Sequence, residues 1–210
     1  MPVRLLGCAL LVLGLGAVSP VLSQQEGASL ELQARGHWRT YGVTDGLGGL
    51  DVWSIFRDRD GDMWFATEGG GVSRFDGDTW TSFDVSDGLV DNSVYEIVQD
   101  VAGDLWFRSR RGVSRYDGLT WRGYTEQADG LAPSTGYHPT VLATDSNGSI
   151  WYGSNQGGLS RFDGNRWTTV DSVNGHKLES ITSATQTRDG AMWFGTSNGA
   201  VRYQDDDWHL

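Results

Sequence analysis

The sequence predicts an all-β propeller of four-stranded antiparallel blades, and three observations predict it. Tryptophan recurs in two interleaved series: Trp38, Trp80, Trp121, Trp167 and Trp208 at intervals of 42, 41, 46 and 41 residues, and Trp64, Trp106, Trp151 and Trp193 at 42, 45 and 42. A repeating unit of that length is the size of one blade. Turn chemistry recurs with the same period: Asp58-Arg59-Asp60-Gly61, Asp100-Val101-Ala102-Gly103 and Asp145-Ser146-Asn147-Gly148, with Asp and Gly where tight turns place them. Between the turns the runs are short and either alternate or are wholly apolar, as strands do.

The chain opens on a targeting pattern. Arg4 gives a short basic start and Leu5 to Val18 an apolar stretch, so residues 1–23 read as a signal peptide cut before Gln24. The run is too short for a membrane span and is broken by Ser19 and Pro20. Cys8, the single cysteine, leaves with this peptide, so disulfides and thiolate chemistry are not expected. Residues 24–36 lack an apolar pattern and read as a linker.

The unit itself is clearest at residues 93–124. Val94-Tyr95-Glu96-Ile97-Val98 alternates, Leu105-Trp106-Phe107 is wholly apolar, and Gly112-Val113-Ser114-Arg115-Tyr116 runs into the Asp117-Gly118 turn before Trp121 to Tyr124. These are four strands of one blade. The same grammar places blades at 51–83, 93–124, 140–170 and 180–210, with residues 37–41 as an orphan outer strand. The last unit decays: Thr187 replaces the turn Asp, and Gln204-Asp205 replaces Asp-Gly. Each sheet has two apolar faces that only neighbouring blades can cover, so the indoles are expected to fill the spaces between sheets.

Asp87-Gly88-Leu89, Asn92-Ser93-Val94, Leu105-Trp106-Phe107 and Gly112 to Gly118, with Asp45-Gly46-Leu47, Asp129-Gly130-Leu131 and Trp193-Phe194-Gly195-Thr196, resemble the two-component regulator propeller repeat. That resemblance implies the extracytoplasmic sensor region of a hybrid histidine kinase or a related regulator. Such sensors carry more blades, a membrane helix and an output domain. The expectation here is therefore about four blades in an incomplete or open arc, lacking the output domain.

Composition narrows the partners. There are 16 basic and 27 acidic residues, a net charge of −11, which becomes −12 once Arg4 is removed. Such a surface repels nucleic acid and anionic membrane. No cofactor is expected, and no metal either. Asp58-Arg59-Asp60-Gly61-Asp62 presents alternate carboxylates without a full calcium ligand set, and His37, His138, His176 and His209 show no zinc spacing.

Function is expected where units differ. Arg108, Arg110 and Arg111 replace a small-residue stretch seen as Ala66-Thr67 and Gly195-Thr196. The loop before blade 3 is longer and holds Tyr137 and His138; Trp53 adds an aromatic to the first unit; His176 lies where other units have Asp-Gly-Leu. Arginine forks and aromatic faces suit a carbohydrate or other small anionic ligand, whereas solvated arginines would merely offset the acidic surface. The reading is a non-catalytic, exported sensor or binding propeller, periplasmic or extracellular. A secreted polysaccharide lyase or hydrolase is the alternative, and a protein–protein scaffold or homodimer a third.

Overall fold

The computed structural model describes residues 39–135 and 141–209; the signal peptide and linker expected at residues 1–36 lie outside that range. Among the described residues four four-stranded sheets follow one another along the chain, all antiparallel and all in simple strand order. Blade 1 comprises β1 (Val52–Arg57), β2 (Met63–Thr67), β3 (Val72–Phe75) and β4 (Trp80–Phe83). Blade 2 comprises β5 (Val94–Gln99), β6 (Leu105–Ser109), β7 (Gly112–Tyr116) and β8 (Trp121–Thr125), followed by a single helical turn, α1 (Glu126–Asp129). Blade 3 is β9 (Val141–Thr144), β10 (Ile150–Gly153), β11 (Leu159–Phe162) and β12 (Trp167–Val170). A small hairpin, β13 (Ser172–Val173) and β14 (His176–Lys177), precedes blade 4: β15 (Ile181–Gln186), β16 (Met192–Thr196), β17 (Gly199–Gln204) and β18 (Asp207–His209).

The first strands adjoin in succession, β1 beside β5, β5 beside β9 and β9 beside β15, so they form the inner row of the arc. Ile55 on β1 is 59% exposed, whereas its counterpart Ile97 on β5 is 4% exposed. Trp193 is 39% exposed against 1% for Trp106. The outer faces of blades 1 and 4 are therefore uncovered, and the arc is open among the described residues.

Every junction between blades repeats one arrangement. The second-strand Trp of a blade enters a trio of rings on the next blade. Trp64 meets Phe107 and Tyr116 at 5.6 and 5.8 Å between centroids, with Trp121 completing the trio. Trp106 meets Phe162 at 5.2 Å and Trp167 at 6.1 Å. Trp151 meets Phe194, Tyr203 and Trp208 at 5.0, 4.9 and 6.1 Å. The two tryptophan series of the sequence are thus the two halves of each junction: the second-strand series supplies the knob and the fourth-strand series one wall of the socket. Offset and edge contacts of this kind add to the burial of large rings.

The recurrent turn aspartate does more than turn the chain. Asp58 accepts the Gly61 and Asp62 N–H groups at 2.9 Å on one oxygen and the Trp64 indole at 2.7 Å on the other. Asp100 and Asp145 hold Trp106 and Trp151 in the same way, at 2.8 and 2.9 Å. Two carboxylates of the weak metal candidate are engaged in this way, Asp58 in the turn and Asp62 receiving Arg74.

A second device shapes the first two Asp-Gly-Leu openings; at the third, a Cβ on Gly130 (φ +72) would meet no neighbour within 4 Å. A Cβ on Gly46 (φ +120) would stand 2.4 Å from the Trp80 Cβ, and one on Gly88 (φ +122) 2.7 Å from the Trp121 Cβ, so only glycine lets the loop lie against the fourth strand. Just beyond each opening a backbone N–H reaches a buried third-strand serine: Gly48 to Ser73 at 2.8 Å, Val90 to Ser114 at 3.0 Å and Ala132 to Ser160 at 2.8 Å. Blade 4 departs from both halves together. The β13–β14 hairpin replaces the opening, turning at Asn174 (φ 51) and Gly175 (φ 80), and Val201 replaces the serine. Val173, Leu178 and Val201 bury there as an apolar plug. This hairpin was not expected from the repeat grammar, although Asn-Gly is a strong hairpin signal.

One expectation requires correction. The residues taken as an orphan outer strand make no strand over the described part, Arg39 to Tyr41; His37 and Trp38 lie outside it. Tyr41 nevertheless packs on blade 1, 5.6 Å from Trp80 and 5.9 Å from Phe75, as Phe83 packs on Trp121 at 5.2 Å in blade 2. Among the described residues no strand pairs with this segment, and its backbone is irregular there.

Candidate ligand-binding cleft

A cleft of about 500 Å³ opens between blades 2 and 3 on the rim that carries the loops between second and third strands. One wall is the β6–β7 turn with the start of β7, Arg110 to Gly112, and the end of β8 with the turn after it, Thr125 to Gln127. The other is the approach to blade 3, Leu131 to Thr135, with Tyr152 of β10 at the base.

Both walls are held by the blades behind them. The Arg110 N–H donates to the Ser93 carbonyl at 3.0 Å, and Ser109 Oγ to the Gly112 carbonyl at 3.0 Å, so the turn is fixed from both sides. Across the cleft, Asn155 clips the opposite segment: its Oδ1 accepts Ser134 Oγ and the Thr135 N–H, both at 3.1 Å, and its Nδ2 donates to Thr135 Oγ1 at 2.6 Å. Ser154 Oγ donates to the Pro133 carbonyl. Loops pinned to rigid sheets make a preformed cavity.

The cleft is polar and mixed in charge. Arg110 and Arg111 face it with Glu126, which brings two guanidinium groups together in a chain of net charge −11. Arg111 is anchored from behind by Asp91 at 3.2 Å while remaining 78% exposed at its side chain. Tyr152 is buried, which raises its phenol above the ordinary value even though Ser134 hydrogen-bonds it. At neutral pH it is a phenol, able to donate and accept.

The sequence candidates separate. Arg110 and Arg111 come together here. Arg108 does not: it is 9% exposed, donating to Glu96 at 3.2 Å, while Glu96 also accepts the Leu142 N–H of blade 3 at 2.9 Å. Its guanidinium lies 5.1 Å from the Tyr95 ring. Burial raises the Glu96 pKa despite the favourable charge of Arg108; the pair and its backbone bond bridge blades 2 and 3 along the inner row. Trp53 stands on blade 1, left out of the ladder by a bulge between Val52 and Ser54 that turns its ring outward; it meets Tyr95 edge-on at 5.5 Å and donates to Glu68 at 3.1 Å. His176 lines a separate groove on blade 4 with Lys177, Thr196 and Asn198. Tyr137 and His138 lie outside the described residues.

Thr125, Glu126, Ser134, Thr135 and Tyr152 were not anticipated. Only Tyr152 had a legible signal: it is tyrosine where the other second strands have Phe65, Phe107 and Phe194, a hydroxyl added at a position built for a plain ring. Among the described residues no group of His, Cys, Asp or Glu is arranged to hold a metal ion, and no helix is long and apolar enough to cross a membrane.

Residues 46–69 and 176–198 match the family described as the two component regulator propeller. Two segments, one in blade 1 and one running from the hairpin before blade 4 into that blade, are thus similar to this repeat. Solved regulator propellers share the fold. The extracellular domain of a hybrid two component system, BT3049 from B. thetaiotaomicron, is 24% identical with a TM-score of 0.65, over 80% of this chain and 24% of that one. The BT4673 extracellular domain from the same organism is 22% identical with a TM-score of 0.61, over 76% and 23%. This chain thus spans about a quarter of the regulator propellers it resembles. Virginiamycin B lyase from Staphylococcus aureus, solved with quinupristin, is 20% identical with a TM-score of 0.62, over 84% of this chain and 60% of that one. At these identities the likeness is one of fold. No match to a curated protein is found.

Proposed function

We propose that this chain is a non-catalytic, exported binding propeller of the sensor type, and that the cleft between blades 2 and 3 takes a small anionic ligand, an acidic carbohydrate fragment in particular. The observation that carries the reading is the placement of Arg110 and Arg111 together on one wall, opposite the hydroxyls of Ser134, Thr135 and Tyr152. Guanidinium forks suit carboxylate or sulfate, and the hydroxyl wall suits sugar hydroxyls. The ligand would touch two blades at once, so its binding would favour one setting of blade 2 against blade 3. The Glu96–Arg108 bridge to Leu142 spans the same junction, which would let the inner row feel that setting.

The repeat family and the extracellular regulator domains of the same fold support the sensor reading and the exported location. Titration calorimetry of the purified chain against uronic-acid and sulfated oligosaccharides tests it. The double variant Arg110→Ala, Arg111→Ala is expected to lose binding with an unchanged melting curve, and binding to the native chain is expected to weaken as salt rises. Retained affinity in that variant overturns the assignment, and turnover of the oligosaccharide overturns the non-catalytic reading.

A further inference from the structure

The first and last blades carry the two unmated halves of the junction that recurs inside the arc. On blade 1, Phe65, Phe75 and Trp80 form a complete socket, with Phe65–Trp80 and Phe75–Trp80 centroids at 5.0 and 4.8 Å. The corresponding rings of blade 2 stand at similar spacing, 5.1 Å for Phe107–Trp121 and 4.6 Å for Tyr116–Trp121, and there they receive Trp64. No second-strand tryptophan enters the blade 1 socket among the described residues. On blade 4, Trp193 occupies the knob register, paired with Arg202 as Trp64 is with Arg74. Yet it is 39% exposed, where the three internal knobs are at most 2% exposed.

We propose that a second copy of this chain docks head to tail, with Trp193 of one copy entering the Phe65–Phe75–Trp80 socket of the other. The occupant is a copy of this chain because the open faces are the two sides of an interface the molecule already builds three times. Apolar exposure agrees: Leu50, Val52 and Ile55 are all uncovered at the blade 1 end, a concentration that marks an interaction surface. Such a contact is heterologous and must close into a ring or run on as a filament. Two arcs of four blades close at eight, within the range propellers adopt.

The contact is weaker than the internal junctions, for a reason visible in the sequence. Thr185 stands on the blade 4 face where Phe56, Val98 and Ala143 stand in blades 1 to 3, and Ala200 where Val72, Val113 and Leu159 stand. A smaller apolar face gives a reversible, concentration-dependent dimer.

Sedimentation velocity of the purified chain over rising concentration is the test. The mass is expected to rise from one chain to two, and Ile55→Asp and Trp193→Ala, both at exposed positions, are each expected to hold it at one chain with an unchanged circular dichroism spectrum. A single-chain mass for the native protein at every concentration overturns the proposal. So does a dimer that Ile55→Asp dissolves and Trp193→Ala leaves intact, because that pattern belongs to a symmetric contact between two first blades.

Discussion

The Trp106 indole N–H donates to Asp100 Oδ2 at 2.8 Å while the other oxygen of that carboxylate accepts the Asp104 N–H at 3.0 Å. One side chain therefore closes the turn between β5 and β6 and orients the knob that enters blade 3. Blade 4 shows the converse, with Thr187 in the turn and Trp193 without an aspartate behind it. Asp100→Ala leaves a buried indole N–H unmatched and is expected to cost about 1.5–3 kcal/mol, read as a lowered urea midpoint at unchanged slope.

The knobs should dominate stability. Trp106 is 1% exposed and stacks on Tyr124 at 5.7 Å, so Trp106→Ala should cost about 3–5 kcal/mol. Leu119, at 89% exposure, is the control: Leu119→Ala should change stability by less than about 0.5 kcal/mol. Equal melting temperatures for the two variants would contradict the packing described.

The serine latch and the apolar plug should not be interchangeable. Ser114→Val strips the Val90 N–H of its acceptor, at about 1–3 kcal/mol. Val201→Ser puts a hydroxyl among Val173 and Leu178 and should cost about as much, about 1–3 kcal/mol. Chemical denaturation of the two single variants checks both, and a stabilising effect from either would show that the loop is held by something else.

Acid should loosen the third-to-fourth strand turns. Asp76 accepts the Asp78 and Thr79 N–H groups and the Thr79 hydroxyl, and its pKa falls to about 2, chiefly through the Thr79 backbone bond. Asp117 and Asp163 shift in the same direction for the same reason. A folded-state value below the unfolded one means that the stabilisation is present above about pH 4 and is lost as pH falls toward 2. Asp76→Asn should flatten the melting temperature against pH across that window; an unaltered slope would remove the turn from the account.

The repeat, the four strands of each unit and the turns between them are legible in the residues alone. These are local: period-two alternation, Asp-Gly turn chemistry and evenly spaced indoles all act within a few residues. The sequence also places Arg110 and Arg111 where the grammar breaks. Packing in three dimensions sets which tryptophan enters which socket, gives the turn aspartates their indoles, and lets Ser73, Ser114 and Ser160 fasten the loops before their blades. The socket and serine contacts join residues about 25 positions apart or on different sheets, beyond a short-range pattern. The aspartate–indole bond is local, six residues apart, but its partner is set by side-chain geometry that turn chemistry alone does not specify.

The arginine cluster makes the same point at a single site. Arg108, Arg110 and Arg111 are near neighbours in the chain, yet the end of β6 buries the first against Glu96 and leaves the other two at the rim. Their separation follows from where the strand stops and the turn begins. The opposite wall comes from a loop fastened to blade 3, so the cleft exists only once blades 2 and 3 have packed against one another.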